Sequence, residues 1–207
     1  TMYCTAQHSK VHSIDTQTGI KNWTIDAPVL RDNLIMNYGD TVYCPPGERG
    51  ILTAFDGLTG EILWDKKLNR GDSVISSDGK YVFSSGYALD SKTGAIIWEN
   101  KEAFGSTIVC NNGGIICFTT ANGKAVIRCF SQLSGIKHWE IGPLNFQSFY
   151  QPLIDNNGTI YSRGSDQILY SLKTGSTGFP TSPWPMAKQN AQRTSRQASF
   201  EEQQLAI

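Results

Sequence analysis

The sequence predicts an all-β chain: a β-propeller of four-stranded antiparallel blades, with about five repeats. Three observations carry this. A turn motif ending in tryptophan recurs along the chain, Asn-Gly or Asp-Gly pairs recur upstream of it, and the apolar runs between them are short and rich in β-branched and aromatic residues.

The turn motif is clearest as Asp56-Gly57-Leu58-Thr59-Gly60 leading to Trp64, and as Asp90 to Gly94 leading to Trp98. It appears earlier as Asp15 to Gly19 before Trp23, and in weaker form as Ser131 to Gly135 before Trp139. A decayed fifth copy is read at Ser171 to Gly175, with Phe179 at the tryptophan position. Trp23, Trp64, Trp98 and Trp139 follow one another at intervals of 41, 34 and 41 residues. A period of about 40 residues marks a repeat architecture with one structural unit per repeat. Within the motif an Asp side chain can accept backbone N–H groups ahead of it, and glycine supplies a positive φ without steric cost. Asp15, Asp56 and Asp90 with Gly19, Gly60, Gly94 and Gly135 are therefore expected to shape the turns.

Each blade is built in order A to D. Strand A is short and apolar, as in Leu34-Ile35-Met36, Ser73-Val74-Ile75, Thr107-Ile108-Val109 and Pro152-Leu153-Ile154. A hairpin at Gly39-Asp40, Asp78-Gly79, Asn112-Gly113 or Asn157-Gly158 leads into strand B. Strand C ends on the turn motif, and strand D carries the tryptophan. Blades are placed near 1–26, 27–67, 68–101, 102–142 and 143–180, followed by a closing segment and tail over 181–207. The first repeat has strands B, C and D but no A. Since an open edge is normally avoided, either the segment after Phe179 returns to complete the first blade or this is the C-terminal part of a larger ring, and the latter is the favoured expectation.

A blade cannot cover both of its own faces, so its neighbour must do so. Trp23, Trp64, Trp98 and Trp139 are expected to fill the gap between blades, burying roughly 150–250 Å² each and donating the indole N–H to a carbonyl.

Ala54-Phe55-Asp56 through Trp64, and Ala88-Leu89-Asp90 through Trp98, resemble the docking motif of pyrroloquinoline-quinone (PQQ)-type propeller repeats. The resemblance runs from Met2 to about Phe179, and Pro183 to Arg196 is similar to a segment at the ends of such propellers. One branch of that family comprises quinoprotein dehydrogenases holding PQQ and Ca²⁺ on the propeller axis. The other keeps the repeat without the cofactor and includes the lipoprotein scaffold of outer-membrane protein assembly. The resemblance implies an extracytoplasmic location, periplasmic or at the cell surface.

The chain has 207 residues, formal net charge zero and pI near 6.7. No basic stripe is present, so nucleic acid is not an expected partner. No apolar run reaches the roughly 18 residues of a membrane-spanning helix. The five cysteines are Cys4, Cys44, Cys110, Cys117 and Cys129, an odd number without C-x-x-C spacing, which fits neither a disulfide framework nor a zinc cage. Cys4 and Cys44 follow Tyr3 and Tyr43 as Ser84 and Ser162 follow Phe83 and Tyr161, a pattern that reads as small residues at a close backbone approach.

No catalytic, cofactor-binding or metal-binding residue is assigned. The vicinal Cys-Cys pair of the dehydrogenases is missing, His8, His12 and His138 share no ligand spacing, and no two carboxylates are singled out as a glycosidase pair. The expected function is a non-catalytic binding scaffold for a protein or other macromolecular partner. The alternatives are part of a PQQ-dependent dehydrogenase, in which PQQ with Ca²⁺ would be the cofactor, or a lectin-like propeller binding glycan. Fold alone does not decide among them. In propellers the D–A and B–C loops share one rim, and insertions at one hairpin class often mark a binding face. Such insertions are read at Pro45 to Gly50, Thr120 to Lys124 and Arg163 to Gln167, whereas only Ser85-Gly86 joins B to C in the third repeat. The candidate rim residues are Arg31, Arg49, Arg70, Phe104, Phe146, Phe149, Tyr150 and Arg163, a mixture of aromatics and arginine that suits macromolecular contact.

Overall fold

The structure is a computed structural model that describes residues 1–6, 10–26, 36–46, 50–69, 73–76, 78–155 and 157–175. The described strands form five antiparallel sheets, each a run of sequential neighbours. The first holds β1 (Met2–Ala6), β2 (Lys10–Ile14) and β3 (Lys21–Asp26). The second holds β4 (Met36–Tyr38), β5 (Thr41–Cys44), β6 (Ile51–Asp56) and β7 (Ile62–Lys67). The third holds β8 (Ser73–Ile75), β9 (Tyr81–Ser84), β10 (Tyr87–Asp90) and β11 (Ile96–Glu99). The fourth holds β12 (Ser106–Val109), β13 (Gly114–Ala121), β14 (Lys124–Ser131) and β15 (Lys137–Ile141). The fifth holds β16 (Phe149–Ile154), β17 (Thr159–Gly164) and β18 (Leu169–Lys173). This is the blade pattern expected of PQQ-like repeats, with no helix among the described residues. As the sequence indicates, the first sheet has no strand before β1 among the described residues.

The C–D turns share one bonding scheme. Asp56 Oδ1 accepts the Leu58 and Thr59 N–H groups at 2.8 Å each. Asp15 and Asp90 accept from Gln17 and Thr18 and from Lys92 and Thr93 at 2.8–3.1 Å. The Gly60 N–H then bonds back to the Asp56 carbonyl at 2.8 Å, at a φ of 78° that suits glycine. Ser131 stands in for Asp in the fourth sheet, its Oγ accepting from Ser134 N–H at 3.3 Å.

Trp23, Trp64 and Trp98 each leave their own sheet and seat on the next turn. The Trp23 indole N–H donates to the Gly57 carbonyl at 3.0 Å, Trp64 to Ser91 at 3.0 Å and Trp98 to Gln132 at 2.9 Å. The Tyr3 and Tyr43 hydroxyls donate to the same Gly57 and Ser91 carbonyls, both at 3.1 Å. The ring lies over the turn glycine: a Cβ added at Gly60, Gly94 or Gly135 would sit 3.0, 2.7 or 2.7 Å from Trp23, Trp64 or Trp98. Trp139 packs with Ile154, Ile160, Leu153 and Leu172 of the fifth sheet. The core is therefore a series of layers between sheets. One layer joins Tyr43, Ala54 and Trp64 to Ile75, Val82 and Leu89, and another joins Phe83, Ala88 and Trp98 to Val109, Ile115 and Phe130.

Two features differ from the sequence reading. Thr120 to Lys124 is no loop insertion. β13 and β14 are paired through Ala121 and Lys124, and Asn122-Gly123 forms a two-residue turn at φ 50° and 74°. Both central residues of such a hairpin need positive φ, which Asn-Gly supplies. The fifth copy of the motif is also out of phase. Lys173 faces Thr159, as Asp56 faces Thr41 and Asp90 faces Tyr81. Thr174 N–H bonds the Gly158 carbonyl at 3.2 Å, as Ser91 bonds Lys80 and Gln132 bonds Gly113. The Asn157-Gly158 hairpin sets that register, so Thr174-Gly175 comes too early to be the Thr-Gly of the turn. Phe179 is consequently not at the tryptophan offset and lies outside the described residues, as do 181–207.

Candidate binding cleft and rim

The D–A and B–C connections meet through the backbone on one rim. Leu68 N–H bonds the Gly50 carbonyl at 2.7 Å, Asn100 bonds Gly86 at 2.8 Å and Ser165 bonds Ser148 at 2.9 Å. The C–D turns and their tryptophans are joined to the opposite strand ends.

Of the candidate rim residues, Arg31, Arg49 and Arg70 lie outside the described residues. Phe146 is buried, stacked on Tyr170 with centroids 4.9 Å apart and edge-on to Phe149 at 4.9 Å. Phe149 is half-buried and meets Phe118 edge-on at 5.1 Å. These two rings pack the rim of blades four and five rather than face solvent. Tyr150 is exposed and pairs in register with Arg163, whose guanidinium lies 5.8 Å from the ring centroid. That cation–π contact leaves both groups at the surface. Phe104 is 45% exposed although it is a large apolar ring.

Phe104 forms part of a cleft of about 470 Å³ together with Asn69, Ser85, Gly86, Tyr87, Glu99 and Lys101. Ser85-Gly86 is a two-residue turn at φ 53° and 88° that connects β9 to β10 with no extra residues. The cleft gathers that short hairpin, the end of β11 and the segments after β7 and β11. Its lining combines an exposed aromatic ring, an ammonium, a carboxylate, an amide and a phenol. The Tyr87 hydroxyl donates to Glu99 Oε1 at 3.3 Å, and burial followed by the Glu99 charge raises the phenol above its ordinary pKa. Ser85 Oγ is buried at the cleft without a hydrogen-bond partner, the one such side-chain atom among the described residues. A buried hydroxyl left unpaired costs free energy.

Sequence reasoning missed Ser85, Tyr87, Glu99 and Lys101 because it sought binding where hairpins are longest. The usable signal was the opposite one: the shortest B–C hairpin beside an exposed Phe leaves a notch. A second cavity of about 260 Å³, between Phe118, Ile127, Leu144, Phe149 and Leu172, is apolar space between blades four and five.

The remaining polar chemistry is engaged in structure. Asp155 Oδ1 accepts the Asn157 and Thr159 N–H groups of its hairpin at 2.9 and 2.8 Å. Glu102 and Glu140 share Lys137 at 2.8 and 3.0 Å, and Arg128 holds Glu140 at 2.8 Å. His12 bonds Thr24 through Nδ1 at 2.8 Å, and His138 is exposed. Burial pushes the Cys44, Cys110 and Cys117 thiols up to about 12 and Cys129 to about 11. All five cysteines are free. Cys110 and Cys129 flank β13 on opposite sides, about two strand spacings or ~9–10 Å apart, beyond the reach of a disulfide.

The fold and its inter-blade tryptophans define a propeller of PQQ-like repeats. The family model described as outer membrane protein assembly factor BamB matches residues 1–86 and 48–178, and the chain belongs to that family. Among solved structures, the computationally designed Ika8 protein aligns with TM-score 0.62 at 13% identity, covering 81% of this chain and 54% of that one. The computationally designed Ika4 protein aligns with TM-score 0.53 at 15% identity, covering 70% of this chain and 89% of its own. BamB from Moraxella catarrhalis aligns with TM-score 0.48 at 16% identity, covering 84% and 70%. No curated protein sequence matches the chain.

Proposed function

We propose that this chain is a non-catalytic propeller scaffold that binds a protein partner through the rim formed by its D–A and B–C connections. The observation that carries the reading is the cleft at Phe104, where an exposed aromatic, Lys101, Glu99 and the unpartnered Ser85 hydroxyl converge on the rim. Aromatic anchors in partly enclosed sites dominate protein–protein binding energy. Membership of the family named for outer membrane protein assembly supports a partner that is itself a protein, and an extracytoplasmic location. Buried, protonated thiols suit that location, since oxidants act on exposed thiolate. Tyr150 and Arg163 extend the proposed rim, and Arg31, Arg49 and Arg70 remain proposed members of it. The docking role of Trp23, Trp64, Trp98 and Trp139, with Gly19, Gly60, Gly94, Gly135, Asp15, Asp56 and Asp90, belongs to the scaffold and not to the binding surface.

A photo-crosslinking residue placed at position 104, compared with one at Leu58 on the opposite turns, tests the reading. A protein adduct from 104 and none from 58 is expected. Equal labelling from both positions contradicts it. No cofactor is proposed, and a titration with PQQ and Ca²⁺ that gave tight, stoichiometric changes in quinone absorbance would favour the dehydrogenase reading instead. A glycan array would separate lectin-like binding from protein binding.

A further inference from the structure

The outer strands that carry the tryptophans, β3, β7, β11 and β15, each end their sheet, with no further neighbour among the described residues. An unpaired edge is a template for another strand, and lysine on it is one of the usual guards. Lys21 stands on β3, Lys66 and Lys67 on β7, and Lys137 on β15. β11, which reads Ile96-Ile97-Trp98-Glu99, has no lysine, and its Ile96 and Ile97 are 47% and 45% exposed. All four strands carry a bulge just before the tryptophan, so the missing lysine is what sets β11 apart.

The register leaves main-chain groups free on that edge. The Asn100 N–H bonds the carbonyl of Gly86, the residue opposite it, at 2.8 Å. Antiparallel pairs alternate between bonded and non-bonded, so Glu99, opposite Tyr87, turns its N–H and C=O away from β10 toward the open edge. Glu99 also lines the Phe104 cleft, so edge and cleft are continuous. Within the cleft Lys101 forms no ion pair among the described residues, and the buried Ser85 hydroxyl has no hydrogen-bond partner.

We propose that the end of β11 and the Phe104 cleft form one docking site, whose occupant is an extended segment of the protein partner that adds a strand to the third sheet. This rests on the protein-binding reading above and names its mode. In strand addition the main-chain bonds give affinity and the pockets for alternate side chains give specificity. Beyond the bulge, the segment pairs with the N–H and C=O of Glu99. It lays an apolar side chain on Phe104 and sets an acidic one against the Lys101 ammonium, with the Ser85 hydroxyl as a further donor.

The probe is a fluorescein-labelled heptapeptide, Thr-Val-Asp-Val-Thr-Val-Thr, blocked at its C-terminus, compared with a twin in which every amide is N-methylated. The twin keeps the side chains and loses the main-chain donors. Titration of the intact chain, followed by anisotropy, should give binding at least about tenfold weaker for the twin, as the loss of main-chain hydrogen bonds implies. Amide hydrogen exchange at Glu99 should slow when the unmethylated peptide binds. Glu99→Pro removes an N–H that no strand of the sheet uses and should weaken the peptide by a similar factor. Ile96→Lys serves if the proline variant fails to fold, because Lys21 and Lys137 occupy the same register position in β3 and β15. Equal affinity for the two peptides, or no binding of either, overturns strand addition. In that case a protein adduct at position 104 leaves the rim reading standing, whereas no adduct there sinks both.

Discussion

Replacing Gly94 by alanine should destabilise the protein well beyond a loss of glycine's conformational freedom. Gly94 adopts φ 67°, and an added Cβ would lie 2.7 Å from Cδ2 and Cε3 of Trp64. An L-residue in the left-handed region costs ~1–2 kcal/mol. Pushing a seated indole aside adds ~1–3 kcal/mol of overpacking. Trp64 is buried and its N–H is fixed on Ser91, so the ring has little room to yield. Gly113→Ala is the matched control: φ is 79° there, but nothing lies within 4 Å of the new methyl group. It should lose only the conformational term. Equilibrium denaturation in guanidinium chloride, followed by tryptophan fluorescence and circular dichroism, reads the difference, which should be ~1–3 kcal/mol. Equal losses in the two variants would refute the claim that the turn glycine is required by the indole above it.

Other outcomes follow from the same geometry. Tyr43→Phe removes one of two donors to the Ser91 carbonyl and should cost ~0.5–1.5 kcal/mol in the same denaturation assay, with Trp64 still seated. Native protein at pH 8 should react with a thiol reagent at Cys4 alone, because thiols pushed to about 11–12 hold on the order of one thiolate in a thousand or fewer; labelling of Cys44 or Cys117 before unfolding would contradict this. Asp15, Asp56 and Asp90 are held below the ordinary carboxylate pKa by the turn N–H and Thr hydroxyl groups. A depressed folded pKa gives stability that is complete above the unfolded value near ~3.9 and is lost as pH falls through the folded value. Thermal midpoints should therefore decline on acidification below about pH 4, and less so in Asp→Asn variants.

The repeat was legible because its parts are chemically exacting. Asp, Gly and Trp each do one job in the turn, so Asp56, Gly60 and Trp64 could be aligned with Asp90, Gly94 and Trp98 directly. The A–B hairpins were legible for the same reason, through Gly39-Asp40 and Asn157-Gly158. Reading weakened where a motif can be mimicked. Thr174-Gly175 resembles the motif in composition, but the register is fixed by a hairpin fifteen or so residues upstream. Asn122-Gly123 carried the strongest short hairpin signal, yet extra residues in the repeat suggested a loop; the ladder instead grew longer. The rim was least legible. Whether an aromatic faces solvent or a neighbouring ring depends on inter-blade packing, and so Phe146 and Phe149 joined Tyr170 and Phe118 while Phe104 remained exposed. The cleft depends on a connection being short: Ser85-Gly86 was legible as the shortest B–C hairpin, but that Phe104 stays exposed beside it follows only from packing.

The C–D turns carry the inter-blade contacts, and the proposed binding surface is the opposite rim. The most direct measurement compares Phe104→Asp with Leu58→Asp for affinity toward the protein captured by crosslinking at position 104. Both side chains are exposed, so both variants should fold. The account predicts at least a roughly tenfold weaker Kd for Phe104→Asp, as loss of a ~1.4 kcal/mol aromatic anchor gives, and an unchanged Kd for Leu58→Asp. Unchanged affinity in Phe104→Asp, or a comparable loss in Leu58→Asp, would contradict it.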